Sequence, residues 1–368
     1  MQSPFTTTPL SPGEGTIHLS LLPPHTPRLK TLKYQYPLKL IAPAPSTITT
    51  TTTTTDPASD SDSKTEPQTS NTLVHTIYTL TYGGGLVAGD SINLRLTLEP
   101  STKLILLTQG STKIFKTPDA GVVSRQGLKA VLEPEAALCY LPDPVQPFAG
   151  SCFEQGQEFE VVVPPGDGVG GKGMASLCVL DWFCSGRPAN GEDWGFWRYA
   201  SRNEVWLVSG AGAGGGEDRR LLLRDNVLLD ARHVSEQSGG GLAERMYGLA
   251  VFGTVILHGP LVKQLGDFFM AEFQLLPRIG GRNFSSSSDY SGSEEEEAPT
   301  PREKWRVERQ RREARQGVLW TAASVRGCVV VKFGAPNVEV GKEWVRDMLA
   351  KDCSVEGIWG ERALMCLK

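Results

Sequence analysis

Cationic excess is missing from this sequence. Its 368 residues carry 37 Lys and Arg against 41 Asp and Glu, a formal net charge of −4. Bulk electrostatic attraction to nucleic acid or to an anionic membrane is therefore excluded as a default mode of action. Long apolar runs are missing as well. The longest, Met246 to Leu257, ends at His258-Gly259-Pro260 and falls short of the roughly 20 residues a bilayer span requires. Met1-Gln2-Ser3-Pro4 opens without a basic stretch leading into an apolar one, so no secretory leader is expected. The 7 cysteines are odd in number, irregularly spaced and contain no C-x-x-C pair, which argues against a secreted disulfide framework. A reducing, cytoplasmic compartment fits better.

Chemistry-bearing motifs are scarce. The 5 histidines, His18, His25, His75, His233 and His258, include no pair at H-x-x-x-H spacing. There is no G-x-S-x-G elbow and no recognisable Cys/His signature, so a nucleophilic enzyme has no positive support. Helical periodicity is confined to two places. Leu261, Leu265, Phe268, Phe269, Phe273 and Leu276 share one face before Pro277 stops the run. Val340, Trp344, Met348 and Leu349 form a second apolar face, which Asn337 is placed to cap.

Period-two alternation is what the chain has in quantity. Ile17, Leu19 and Leu21, then Ile92, Leu94, Leu96 and Leu98, then Phe159, Val161 and Val163 alternate with polar residues, as half-buried strands do. Leu104 to Leu107 and Cys328 to Phe333 read as strands covered on both faces. Arg224-Asp225-Asn226 between two leucine-rich triplets predicts a tight hairpin. Gly 40 and Pro 25 point to many turns. The expected fold is mainly β, as stacked sheets, a sandwich or a solenoid, with two α-helices near the C-terminal half. No strict sequence repeat of 20–50 residues supports a regular solenoid.

Two segments look like inserts. Residues 46–71 are rich in Ser, Thr, Asp and Pro, with consecutive threonines from Thr49 to Thr55. Residues 281–317 hold Ser285–Ser288, Glu294–Glu297 and an Arg-rich run. Pro301 to Gln316 offers the i,i+4 pairs Lys304–Glu308 and Glu308–Arg312 but no apolar stripe, so a solvated helix or disorder is expected there. The remaining length suits one large or two ordinary domains.

Four blocks carry candidate chemistry. Gly83-Gly84-Gly85-Leu86-Val87-Ala88-Gly89-Asp90 fits neither G-x-x-x-x-G-K-[ST] nor G-x-G-x-x-G, and an alternating strand follows it rather than a helix. A connection needing positive φ or close backbone approach is the plainer reading. Thr108-Gln109-Gly110-Ser111-Thr112-Lys113 resembles the second half of a phosphate loop but has the wrong glycine-to-lysine spacing. In Leu141-Pro142-Asp143-Pro144-Val145-Gln146-Pro147-Phe148-Ala149-Gly150 the prolines fix an irregular path. There Asp143 either caps a turn, the favoured reading, or faces a cavity. Gly186 to Val205 mixes charges with Trp194, Phe196, Trp197 and Tyr199, which suits an interface or a wet-edged core equally. Cys178 and Cys184 share one face of a strand among apolar neighbours and read as core thiols.

In order, Tyr36-Pro37-Leu38-Lys39-Leu40, Gly83 to Asp90, Thr108 to Phe115, Leu141 to Pro144 with Pro147 to Gly150, Gly186-Arg187 with Gly191-Glu192, and Ser201 to Val205 resemble the urease accessory protein UreD family, also called UreH. The likeness is good over about residues 14–260 and looser beyond, and the two inserts resemble the expanded loops of fungal or other eukaryotic members. The resemblance implies one UreD-like domain over residues 1–368, a distorted β-helix-like stack of sheets, and a non-enzymatic role. It implies binding to UreF, to UreG through UreF, and to apo-urease, with a dimer within the accessory complex left open. It also implies transient Ni²⁺ passing through an internal tunnel, with no tightly bound cofactor. By matching position the lining residues would be Asp90, Asp143 and Glu192. A conduit of isolated carboxylates, carbonyls and waters releases its ion, whereas clustered imidazoles and thiolates would trap it. Asp143→Ala or Glu192→Ala should then lower nickel loading of urease without unfolding the protein. Two other readings stand beside this one: a passive scaffold that opens urease without carrying nickel, and a β-helical glycan hydrolase needing paired carboxylates.

Overall fold

A computed structural model describes residues 10–24, 26–52, 68–164, 173–209, 218–231, 241–277 and 300–368. Strands dominate and are divided mainly between two large sheets. The first has seven strands, in spatial order Asp218–Asp230, Arg198–Ser209, Cys152–Val163, Ser124–Leu132, Ser91–Leu98, Glu14–Leu22 and Thr26–Tyr34. The second runs from Leu319–Val325 through Cys328–Ala335, Val251–His258, Ser176–Cys184, Ala137–Tyr140, Lys103–Thr108 and Gln68–Thr81 to Leu38–Ile41. The middle of each sheet is parallel and the edges are antiparallel.

Parallel neighbours need long crossovers. Here each crossover visits the other sheet. From Ser91–Leu98 the chain enters Lys103–Thr108, passes the short strand Thr112–Ile114 and returns at Ser124–Leu132. It repeats the circuit through Ala137–Tyr140 and Val145–Pro147 to Cys152–Val163. The short strands stack as well, with Val145 beside Thr112 and Gly85 beside Lys113. Successive circuits therefore lie in register: Leu94, Leu128, Gln157 and Asn203 stand side by side, as do Leu104, Leu138 and Leu177.

Apolar side chains fill the space between the sheets. Leu96, Ala130, Phe159 and Val205 form one fully enclosed row. Each large aliphatic side chain so buried contributes about 1.5–3 kcal/mol. A second core lies on the outer face of the second sheet, beneath the helices Lys263–Gln274, Pro301–Gln316 and Val338–Asp352 and the C-terminal turns. Both expected helices are present, and Asn337 Oδ1 accepts the Val340 N–H at 2.8 Å. None of the helices among the described residues is long and apolar enough to cross a membrane.

Two expectations are corrected. Arg224-Asp225-Asn226 is not a hairpin: Asp218–Asp230 is one continuous strand along Arg198–Ser209, with Asp225 opposite Asn203. The triplet contains no glycine to supply positive φ, and Asp225 finds partners across the sheets instead. In the threonine-rich segment, Ser46–Thr52 pairs with the start of Gln68–Thr81. β-Branched threonine suits that pairing, and residues 53–67 lie outside the described set. Within 281–317, residues 281–299 also lie outside it, whereas Pro301–Gln316 is a docked helix rather than a solvated one. It docks without an apolar stripe because its arginines bind a carboxylate. Glu272, fully buried, receives Arg302, Arg306 and Arg309, and Arg309 also pairs with Glu313 at 2.6 Å. A capping box at Thr300 and Glu303 fixes the helix start.

Candidate functional site

The blocks singled out in the sequence are largely accounted for by the turns they make. Gly83, Gly84 and Gly89 have φ of 77°, 76° and 82°. A Cβ on Gly85 would lie 2.3 Å from the Lys113 carbonyl oxygen, so both reasons for glycine apply within one block. Asp90 closes this turn by accepting the Val87 N–H at 3.0 Å. The Thr108–Lys113 block leads into the strand Thr112–Ile114, not a helix. Gln109 is exposed, and Gly110 donates its N–H to Asp143 Oδ2 at 3.0 Å while Asp143 N–H donates to Thr108 Oγ1 at 2.8 Å. Pro142, Pro144, Pro147 and Phe148 are buried, and the Pro142 carbonyl accepts Trp182 Nε1–H at 2.8 Å.

Glu192 forms a two-pronged ion pair with Arg187 and accepts the Ala149 N–H. Arg187 holds the Glu192 carboxyl below its ordinary range. The Arg187 guanidinium also lies 3.7 Å from the Phe148 ring centroid. Trp194 and Tyr199 are buried against Phe183, and Phe196 is buried against both of them, which decides for core over interface at those three positions. Asp90, Asp143 and Glu192 thus occupy separate turns. Among the described residues, no three His, Cys, Asp or Glu side chains are grouped to hold a metal. His25 and His233 lie outside the described residues.

A different constellation emerges between the sheets. Three cavities follow one another there. The first, about 40 Å³, is lined by Leu38, Thr79, Thr81, Thr108, Gln126 and Tyr140 among others. The second, about 10 Å³, shares Thr108, Thr112, Gln126 and Tyr140 with it and adds Asp143, Gln155, Gln157 and Asp181. The third, about 190 Å³, shares Asp181 and continues to Val227, Met246, Thr254 and Lys332. The middle chamber has room for about one water molecule.

Strand register builds this line. On the first sheet the inward rows change along the stack from Ile92 to Gln126, Gln155 and Ser201, and from Leu94 and Leu128 to Gln157, Asn203 and Asp225. On the facing sheet Asp181, Thr254 and Lys332 are neighbours in register. Each polar group replaces a leucine-like position, so the stripe costs packing energy unless its members bond one another.

Most do. Asp181 accepts Gln155 Nε2 at 2.8 Å, Ser201 Oγ at 2.6 Å and Asn203 Nδ2 at 2.7 Å. Asp225 takes Lys332 at 2.6 Å and Thr254 at 3.1 Å, and Asp143 takes Lys342 at 2.6 Å. Asp143 therefore fulfils both readings left open by the sequence, capping the Gly110 turn and lining the narrow chamber. Asp181 is the exception among the three carboxylates, because among the described residues no cation pairs with it. Burial, and then the charge of Asp225, push its carboxyl above the ordinary aspartate range against the pull of its three donors. Two further oxygens, Gln157 Oε1 and Asn203 Oδ1, are buried without a donor. An uncompensated carboxylate beside two donorless amide oxygens makes an electronegative chamber. Oxygen ligands in so small a number suit weak, passing contact with a divalent cation.

Sequence reasoning missed Asp181, Gln155, Gln157, Asn203, Asp225 and Lys332. The signal was present in two places. Gln155 and Gln157 continue the inward parity of Phe159 and Val161, and Asp181 interrupts the otherwise apolar run Leu177 to Phe183. A charge at a core position marks a functional candidate.

A family model described as UreD urease accessory protein matches residues 13–364. Urease accessory protein 4 of Cryptococcus neoformans var. grubii is 30% identical and aligns over 98% of each chain. Urease accessory protein D of Arabidopsis thaliana is 36% identical over 53% of this chain and 58% of its own. Urease accessory protein UreD of Sorangium cellulosum is 36% identical over 53% of each.

Proposed function

Because the chain belongs to the UreD urease accessory protein family, we propose that it serves the maturation of apo-urease as a non-enzymatic conduit for Ni²⁺. The observation that carries this reading is the line of cavities between the sheets, with Asp181 unpaired at its narrowest part. Nickel is cargo here, not a resident cofactor. Entering from the Thr79–Thr81 side, the ion meets hydroxyl and amide oxygens, then one carboxylate, then the Asp225–Lys332 pair; from the Met246 side it meets them in the reverse order. The 10 Å³ chamber forces it to shed water or forces the walls to move. Asp181 offsets part of the dehydration cost, and the scarcity of further ligands keeps the ion from stopping. Asp143, neutralised by Lys342, lines the same passage as a lesser contact.

On this reading the chain acts as a single unit in the cytoplasm. It binds apo-urease directly and connects to UreG through UreF, and a dimer within that assembly is compatible with it. We read the stacked circuits as a distorted β-helix whose core has been opened along one row.

The test is genetic and analytical. Removal of the chain from its host should leave urease apoprotein present and its nickel absent. Asp181→Asn and Gln157→Leu should each reduce the nickel content of isolated urease several-fold while the chain stays folded. Normal nickel in both variants, with empty urease in the deletion strain, would leave the passive scaffold as the surviving explanation.

A further inference from the structure

One surface beside the first cavity exposes a pair of aromatic side chains. Tyr36 and Tyr82 are 61% and 47% exposed, and their ring centroids lie 5.5 Å apart. Val87, on the same edge, is 53% exposed. The Tyr82 N–H donates to the Pro37 carbonyl, and the next pair inward, Leu38 opposite Thr81, lines the cavity mouth. Between the aromatics and Val87 lie Gly83 and Gly84, where an added Cβ would meet nothing within 4 Å. Their surface is bare backbone, flat enough for close approach.

Cations border this aromatic centre. Lys39 Nζ is 5.8 Å from the Tyr82 centroid, and exposed Lys113 lies beside Gly85 on the neighbouring short strand. No ion pair engages either lysine among the described residues. The nearby carboxylates of Asp90 and Asp119 accept turn amides from Val87 and Gly121. Paired exposed tyrosines make good anchors because they bury large area at little entropic cost, and a rim of free ammonium groups selects the opposite charge.

We infer that this face docks a protein partner presenting an apolar centre rimmed by carboxylates, and that the docked partner sits over the mouth at Leu38 and Thr81. The inference rests on the maturation reading and specifies which surface the assembly uses. It also gives the glycine block and Tyr36-Pro37 a use at the surface, beyond the turn geometry that explains them locally.

The experiment measures binding of the purified full-length chain to purified apo-urease and, separately, to purified UreF, at low and at physiological salt. Variants are Tyr36→Ala/Tyr82→Ala, Lys39→Glu/Lys113→Glu, and Arg346→Glu on the helix Val338–Asp352 as a charge control. For one of the two partners, each double variant should weaken binding about tenfold or more. The lysine variant should also lose the salt dependence, and Arg346→Glu should bind as wild type. Wild-type affinity of both double variants for both partners overturns the placement alone. A wild-type dimer that Tyr36→Ala/Tyr82→Ala converts to monomer, with partner affinities unchanged, assigns the face to a second copy and also overturns it. A wild-type chain that binds neither partner brings down the maturation reading together with the placement. All the substituted side chains are at least partly exposed, and a thermal melt verifies that each variant folds.

Discussion

The strand Ser176–Cys184 is buried along its whole length, yet its two faces live in different chemistry. Cys178, Leu180, Trp182 and Cys184 point into the core under the helices, which is tightly packed and aromatic-rich. Leu177, Val179 and Phe183 point between the sheets, where Asp181 joins the polar line of cavities. One face answers the demand for stability. The other carries an uncompensated carboxylate and donorless oxygens, a cost that packing alone does not explain. The helical side also contains a buried carboxylate, Glu272, but surrounds it with three guanidinium groups. A buried charge with its partners is architecture, whereas one without them is available for something that arrives.

Breaking the architecture should have the larger effect. Glu272→Ala takes away the carboxylate shared by Arg302, Arg306 and Arg309, leaving the buried Arg309 with Glu313 as its remaining carboxylate among the described residues, and should cost about 3–5 kcal/mol in urea unfolding. Cys178→Ser puts a hydroxyl among apolar side chains and should cost about 1–3 kcal/mol. Ser201→Ala, on the polar side, should cost less, about 0.5–1.5 kcal/mol, because Asp181 keeps two donors. A reversed order would mean that the intersheet stripe is the stabilising one.

The third contrast lies in pH. Burial raises the Glu272 carboxyl, but Arg306, Arg302 and Arg309 outweigh it and leave it below its ordinary range. Its contribution to stability is present above the unfolded-state value and is lost as pH falls through the folded one. Asp181 is raised, so its sign is opposite: its contribution is full below the unfolded-state value near ~4 and fades as pH rises through the folded one. Asp181→Asn should therefore be no less stable than wild type at neutral pH and flatten the stability profile above the ordinary aspartate range. Equal pH dependence of the two proteins would place Asp181 in an ordinary, solvated state.

Much of the β character was legible in side-chain parity. Ile92 to Leu98 and Phe159 to Val161 alternate as half-buried strands must, and Leu104 to Leu107 read as doubly covered. Capping chemistry located the helix after Asn337, and local turn chemistry located the glycine block. The docked helix Pro301–Gln316 escaped because its burial is ionic: no apolar stripe announces a face whose partners are Glu272, Glu343 and Asp347. The polar line of cavities between the sheets escaped for a related reason. Asp90 and Glu192 stand out through their neighbours in the chain, while Asp181, Gln157 and Asn203 become neighbours only through the pairing of distant strands.

Sequence alone thus determined which residues face inward, where the chain turns, and the family likeness carried by ordered blocks. All of these depend on local sterics or on the two-residue period of a strand. Only the tertiary structure decided that the circuits stack without any sequence repeat. It alone set Leu94 and Leu128 in one row with Gln157 and Asn203, and left Asp181 facing a cavity instead of a cation. Register between strands far apart in sequence is fixed by how two sheets fill the space between them, and no short stretch of chain contains that information.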